Sequence, residues 1–274
     1  MPDDTRRDPA PGQDGSETHG SETHEPAARD PRDAARSAMV PELPKRFYAQ
    51  AQVEPHAQGF ALLLDGRPAR TPGKRPLVAP TRPAGEALAA EWQAQDERID
   101  PRTMPLTRLL NVAIDAVGAA MDPVAEEVVK YAGSDLVCYR AGEPDRLVDA
   151  QAAAWDPVLA FARERLGARF VLAEGVMFVE QPREALDAVA ARVSRETSPF
   201  ALAALSVMTT LTGSALIALA VADAALPAEE AWEAAHVDEL HQERVWGADA
   251  IATERREARR AEFAAAALLY REAG

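Results

Sequence analysis

The sequence predicts an α+β fold, with a small antiparallel β-rich N-terminal domain at residues 45–82 and a larger, mainly helical C-terminal domain at residues 83–274. Two observations predict this arrangement. Before residue 82, short apolar runs alternate with turns that contain proline or glycine. After it, apolar residues recur at helical spacing. The chain has 274 residues, of which 47% are hydrophobic, so it can bury a substantial core.

The β-rich part extends from Lys45 to about Pro80. Asp65-Gly66 separates two strand-like runs and predicts a hairpin turn, because glycine accepts positive φ without steric cost. A second turn at Pro72-Gly73 leads into a short strand around residues 76–79. These short strands follow one another closely, which predicts a small twisted antiparallel sheet.

The first three helices are predicted from apolar spacing and from proline at their starts. The first covers residues 84–97, and the second begins at Pro105, where the missing N–H of proline costs nothing. In the second helix, Leu109 and Val112 are predicted to face inward. Asp122-Pro123 opens the third helix.

The rest of the chain is predicted to be mostly helical. Residues 147–166 form a long helix, and the extended piece at residues 169–182 forms a hairpin or a loop. Further helices run to Tyr270, with breaks near Pro199, Gly213, Pro227 and Gly247. The charged segment at residues 256–263 is predicted to be a solvated helix face.

The stretch from Pro199 to Ala222 carries no charged residue and is long enough to span a bilayer. It is rich in alanine, however, and carries several serines and threonines near its middle. Thr212-Gly213-Ser214 predicts a break between two short buried helices, so no membrane insertion is expected.

Composition narrows the class of protein. The net charge is −14 and the isoelectric point is about 4.9, so the surface should repel nucleic-acid phosphates and anionic lipids. The single cysteine, Cys138, excludes an internal disulfide framework and is typical of a reducing compartment. Its apolar neighbours predict a buried thiol, and Asp135 just before it is predicted to cap a helix or a strand end.

Residues 1–44 are predicted to be a disordered acidic tail, because they lack aliphatic periodicity and contain a near-tandem repeat at residues 15–24. The tail has no apolar stretch for a secretory signal, and its many acids argue against a mitochondrial presequence. A cytoplasmic location is therefore predicted.

Residues 230–252 contain the most informative pattern. On a continuous helix they would place one narrow stripe on a single face: Trp232, His236, Glu239, Glu243, Trp246 and Ala250. Glu239 and Glu243 repel each other, and no lysine or arginine lies three or four residues from either. Their counter-charge must come from an arginine of another helix, a metal ion or a partner protein.

A metal-dependent helical enzyme is the alternative function that this stripe allows. Glu233 and His236 have the Glu-x-x-His spacing of carboxylate-bridged di-iron proteins, and Glu239 and Glu243 could add ligands. Outside the tail no second such pair occurs. The sequence also lacks a phosphate-binding loop and a nucleophile elbow, so no enzyme and no cofactor are predicted.

Six segments, taken in order, resemble the ATP synthase F₁ assembly factor family: KRFYAQAQVEP, LLLDGRPARTPGKRPL, EWQAQDERIDPRTMPLTRLLNVAID, YAGSDLVCYRA, LTGSALIALAVA and DELHQERVWGAD. The match covers about Lys45 to Tyr270. The resemblance implies a non-enzymatic chaperone that binds the unassembled F₁ alpha subunit without nucleotide. It also implies a β-rich N-terminal and a helical C-terminal domain. We further expect a monomer.

The family also indicates where a partner would bind. Its functional acidic position matches Glu239, and its Glu-Trp pair matches Glu91-Trp92. His241 departs from the pattern, since relatives often carry an aromatic residue there. The predicted partner-binding residues are Glu239, Glu243, Trp246, Trp232, His236, Glu91, Trp92 and Asp238.

Overall fold

A small antiparallel sheet opens the part of the chain that this computed structural model describes, residues 42–175 and 177–274. Its strands are β1 (Ala51–His56), β2 (Gly59–Leu64), β3 (Arg67–Pro68) and β4 (Val78–Ala79). β2 is central: β1 pairs along one edge, while β3 and β4 share the other. The predicted sheet is therefore confirmed. The prediction for residues 1–44 falls almost wholly outside the described residues.

The hairpin turn at Asp65-Gly66 is also confirmed. Both residues have positive φ, 47° and 75°, and Leu64 pairs with Arg67 across the turn. The Asp65 carboxylate accepts hydrogen bonds from the backbone N–H groups of Ala49 and Gln50, which hold the pKa of this carboxyl below its usual value. The turn therefore also fixes the chain that enters the sheet.

Ten α-helices occupy most of the remaining described residues, together with a two-residue parallel pairing of β5 (Tyr139–Arg140) and β6 (Ala173–Glu174). The helices are α1 (Arg82–Gln93), α2 (Pro105–Asp115), α3 (Met121–Ala132), α4 (Asp145–Phe161), α5 (Arg183–Val193), α6 (Pro199–Thr212), α7 (Ala215–Ala222), α8 (Ala228–Ala235), α9 (Val237–Trp246) and α10 (Ala250–Ala273). A π-helical turn at Ala162–Leu166 continues α4. The predicted fold class is confirmed.

The uncharged stretch forms two buried helices, as predicted. Gly213 ends α6 with a φ of 67°, and the Ser214 hydroxyl then accepts a hydrogen bond from the Ile217 N–H at 2.9 Å to start α7. Among the described residues, no helix combines the length and apolar character that a bilayer crossing requires. The helix break at Gly213 therefore divides this apolar stretch into two helices that are each too short to cross a bilayer.

Asp135 lies in the centre of the helical region and is fully buried. Its carboxylate accepts from the Val137 N–H of a 3₁₀ turn and from the Leu216 N–H at the start of α7, at 3.3 and 3.0 Å. This confirms the predicted capping role. Burial raises the pKa of Asp135 to about 6 and that of the neighbouring Cys138 thiol to about 12. The thiol is therefore protonated and buried, as predicted.

Residues Leu43–Gly274 form one compact unit, and α10 spans it. Near the end of α10, Phe263 and Leu269 are buried, and the Thr81 hydroxyl donates to the Glu272 carboxylate at 2.9 Å. α10 thereby joins the helices to the sheet. The division into domains at residue 82 stays a prediction; α1, just after it, packs directly on β1 and β2.

The charged face at residues 256–263 was predicted to be simply solvated, and this is wrong. Three of its side chains form ion pairs with other helices: Arg256 with Glu243, Arg260 with Glu229, and Glu262 with Arg108. The sequence hides these pairs because each partner is at least 13 residues away.

Candidate functional site

The acidic stripe is divided between separate helices. α8 ends at Ala235 and α9 begins at Val237, because His236 leaves the helical conformation at φ −120° and ψ 23°. α9 ends at Gly247, which has a φ of 88°, and α10 follows. The prediction of one continuous face is therefore wrong. Its members differ sharply in their exposure.

Trp232 and His236 are buried at the corner between α8 and α9. Their rings lie 3.8 Å apart, Trp232 also packs on Phe263, and His236 Nδ1 lies 2.8 Å from the Trp232 carbonyl oxygen. Burial lowers the pKa of His236, so the imidazole is neutral and Nδ1 donates. These two residues were predicted to face a partner. Instead Trp232 lies in the core. His236 is only 5% exposed, but it also lines a cleft between α9 and α10.

The two carboxylates of the stripe have different surroundings. The Glu243 carboxylate accepts hydrogen bonds from both terminal guanidinium nitrogens of Arg256 on α10, one of them at 2.9 Å. These bonds lower the pKa of Glu243. Its counter-charge is thus an arginine of another helix. Glu239 is exposed and makes no hydrogen bond or ion pair with any residue that the structure describes. Of the two, Glu239 is the carboxylate without a described hydrogen bond or ion pair, although its charge acts on His236 and Arg256 across the same cleft.

A cleft of about 410 Å³ separates α9 from α10. Glu239, Glu243 and Trp246 line it from α9, and Arg256 lines it from α10. Trp246 is 84% exposed. Two further apolar side chains near the turn between α9 and α10 are also exposed: Val245 at 57% and Ile251 at 63%. Three exposed apolar side chains close together, beside a carboxylate without a described ion pair, make this cleft the candidate binding surface.

Asp238 anchors the N-terminal end of α9. Its carboxylate accepts from Gln151 Nε2 on α4 at 2.7 Å, and Gln151 Oε1 accepts in turn from the Ala141 N–H at 2.8 Å. Nearby, the Trp155 indole N–H donates to the Ala234 carbonyl at 2.7 Å. No sequence pattern pointed to Gln151, because the residues that its bond to Asp238 joins are 87 positions apart.

Glu91 and Trp92 lie elsewhere, between the sheet and α2. The Glu91 carboxylate accepts from the N–H groups of Leu106 and Thr107 at 2.7 and 2.8 Å, so it caps the start of α2. Burial raises the pKa of Glu91. Trp92 packs on Tyr48, and its indole nitrogen is buried without a hydrogen-bond partner among the described residues. No described hydrogen bond or ring contact joins this pair to α9.

The described residues offer little geometric support for the alternative function, a metal-dependent enzyme. Glu233 is exposed on α8, whereas the His236 ring is buried with Nδ1 engaged by Trp232. Across residues 42–175 and 177–274, no group of three or more histidine, cysteine, aspartate or glutamate side chains is placed to hold a metal ion.

The fold is a small antiparallel sheet followed by a helical core, with exposed apolar and acidic side chains where α9 meets α10. The family model of the ATP12 chaperone protein matches residues 45–163. The chain belongs to the ATP12 chaperone family.

Solved structures support this assignment over most of the chain. A chaperone candidate from Agrobacterium tumefaciens is 46% identical, with a TM-score of 0.79, and the match covers 90% of this chain and 92% of that one. Atp12 from Paracoccus denitrificans is 39% identical, with a TM-score of 0.75, over 84% of this chain and 98% of that one. A point variant of the Paracoccus protein matches at the same identity and TM-score.

Proposed function

We propose that this protein is an assembly chaperone for the F₁ sector of ATP synthase, and that it binds the unassembled alpha subunit without nucleotide. In this proposal it acts as a non-enzymatic monomer in the cytoplasm. Membership of the ATP12 chaperone family supports it. The observation that carries it is the exposed Trp246 beside the unpaired Glu239.

The surface around the cleft between α9 and α10 suits a subunit whose assembly interface is apolar and carries arginines. The indole of Trp246 would bury apolar area, which contributes roughly 25 cal/mol per Å² removed from water. Glu239 would accept a charge-assisted hydrogen bond from an arginine, which is stronger than a bond between neutral groups. Tryptophan and arginine are also the residues that most often dominate binding energy at protein interfaces.

The proposed chaperone needs no nucleotide for its cycle. The sequence lacks a phosphate-binding loop, and release can follow when the correct neighbouring subunit displaces the chaperone from the same interface. Binding energy, rather than hydrolysis, would then set the order of assembly.

Aggregation of refolding alpha subunit tests the proposal. Denatured alpha subunit is diluted into buffer with and without one equivalent of the protein, in the absence of nucleotide, and light scattering is followed. We expect scattering to fall strongly. Serum albumin at the same concentration serves as the control. Scattering that stays unchanged with the protein present would falsify the proposed function.

A further inference from the structure

α9 is attached to the rest of the molecule at few points. Val237 is its one buried residue, and Asp238 bonds to Gln151 at the same end. At the other end, the described side-chain hydrogen bonds to other helices come from a single residue, Glu243, which binds Arg256. The last two turns of α9 are therefore held to α10 mainly by one ion pair.

That ion pair lies inside the proposed binding surface. Glu243 is one helical turn from the open Glu239 and three residues from the exposed Trp246. Both members keep some contact with water, since the side chains of Arg256 and Glu243 are 16% and 23% exposed. Because neither side chain is fully buried, an incoming guanidinium can reach the Glu243 carboxylate and exchange with Arg256.

We propose that Arg256 is an internal stand-in for an arginine of the bound subunit. It occupies Glu243 in the free protein and yields this carboxylate when the partner binds; the inference rests on the proposed function. Replacing one guanidinium by another preserves the bidentate geometry and the charge-assisted bonds. The exchange therefore adds the contacts of Trp246 without leaving Glu243 unpaired. The released Arg256 guanidinium is left to water and to the nearby charges of Glu257 and Glu239.

Competition predicts opposite effects for the two members of the pair. Affinity for isolated alpha subunit is measured for Arg256→Gln, Glu243→Gln and the double variant. We expect Arg256→Gln to bind at least fivefold tighter, because the competitor is gone. Glu243→Gln should bind more weakly, and the double variant should lose the gain. Arg195→Gln, an exposed arginine outside this surface with no described bond, is the control and should match the wild type.

A merely structural ion pair gives a different result. Arg256→Gln would then bind as the wild type does or more weakly, and either outcome overturns the proposal. Thermal unfolding of each variant should stay within a few degrees of the wild type, since the pair is partly exposed.

Hydrogen exchange tests, without any alpha subunit, whether the ion pair restrains α9, which the stand-in role requires. Amides of residues 240–246 should exchange faster in Arg256→Gln than in the wild type or in Arg195→Gln. Unchanged exchange overturns the stand-in role, because α9 is then not held by this pair. If the wild type binds no alpha subunit, the proposed function fails, whereas faster exchange in Arg256→Gln still establishes that Arg256 restrains α9.

Discussion

Glu239 and Glu243 lie one turn apart on α9, yet only Glu243 makes a hydrogen bond or an ion pair within the described residues. Sequence spacing alone predicted that neither has a local cation, and this holds within the helix. It could not predict Arg256, because a bond across a chain reversal depends on how α9 and α10 pack. The same limit applies to Gln151, which holds Asp238 from α4.

Charge reversal at Glu239 should abolish binding of alpha subunit and leave the fold intact. The carboxylate makes no described hydrogen bond or ion pair, and water screens the repulsion that a lysine here would have with Arg256. Thermal unfolding should therefore not shift by more than a few degrees. Loss of a charge-assisted bond costs about 1.5–3 kcal/mol of binding, and repulsion adds to this. We expect Glu239→Lys to bind at least tenfold more weakly.

The matched control for this change is Glu126→Lys, an exposed glutamate of α3 with no described bond. Circular-dichroism melting and alpha-subunit affinity are measured on both variants. A melting curve of Glu239→Lys that collapses together with binding would make Glu239 a structural residue and remove it from the site.

Replacing Asp135 by alanine should destabilise the protein by about 2–3 kcal/mol. The change leaves the N–H groups of Val137 and Leu216 buried without this acceptor, at about 1–3 kcal/mol each. The value lies toward the lower end because burial already penalises the ionised carboxylate, as its raised pKa indicates. Urea unfolding measures the change. Asp149→Ala, an exposed aspartate of α4, should cost about 0.5 kcal/mol or less.

At the scale of elements, the helix breaks that contain glycine or proline were predictable. Gly213 and Gly247 both end helices in positive-φ conformations that other residues rarely adopt. The corner at His236 was not predictable, because no residue there breaks a helix and the break depends on packing against Trp155 and Phe263. Val112 shows the same limit: it is exposed, while its neighbours Leu110 and Ala113 are buried.

The stability that neutral His236 contributes between α8 and α9 should decrease in acid. The pKa of His236 is lowered in the folded protein, mainly by burial, so the folded state binds fewer protons than the unfolded state once the pH falls to the usual histidine pKa of 6.5. Stability contributed by neutral His236 is therefore present above pH 6.5 and is lost as the pH falls through the folded pKa.

Urea midpoints at pH 7.5 and pH 5.5 measure this effect. The decrease between the two pH values should be smaller in His236→Gln than in the wild type, because glutamine does not titrate. His56→Gln, at an exposed histidine of β1, should retain the wild-type decrease. Equal decreases in the wild type and in His236→Gln would show that protonation of His236 does not control the corner.

At the scale of the whole molecule, the six sequence segments identified the family because they occur in order over most of the chain. The order of sheet and helices followed from turn residues and apolar spacing, which are local properties. The site required tertiary structure. Trp232 is buried in the core, His236 reaches only the wall of the cleft, and Glu91 caps the start of α2.

Deletion of residues 1–41 should leave stability and binding nearly unchanged. The composition of this segment cannot bury enough apolar area to contribute to a core. Melting temperature and alpha-subunit affinity of the truncated protein measure this directly. A decrease in melting temperature of several degrees would instead show that the segment packs on Leu43–Gly274.

The exposure of Trp246 gives the protein an intrinsic optical reporter. Trp155 and Trp232 are buried and Trp92 is half-buried, so the most water-exposed indole of the four belongs to α9. Its emission should lie at the longest wavelength and should be quenched first by acrylamide. Contact of any ligand with the surface around Trp246 can therefore be followed as a blue shift of the tryptophan emission without an added dye. The Trp246→Phe variant supplies the blank.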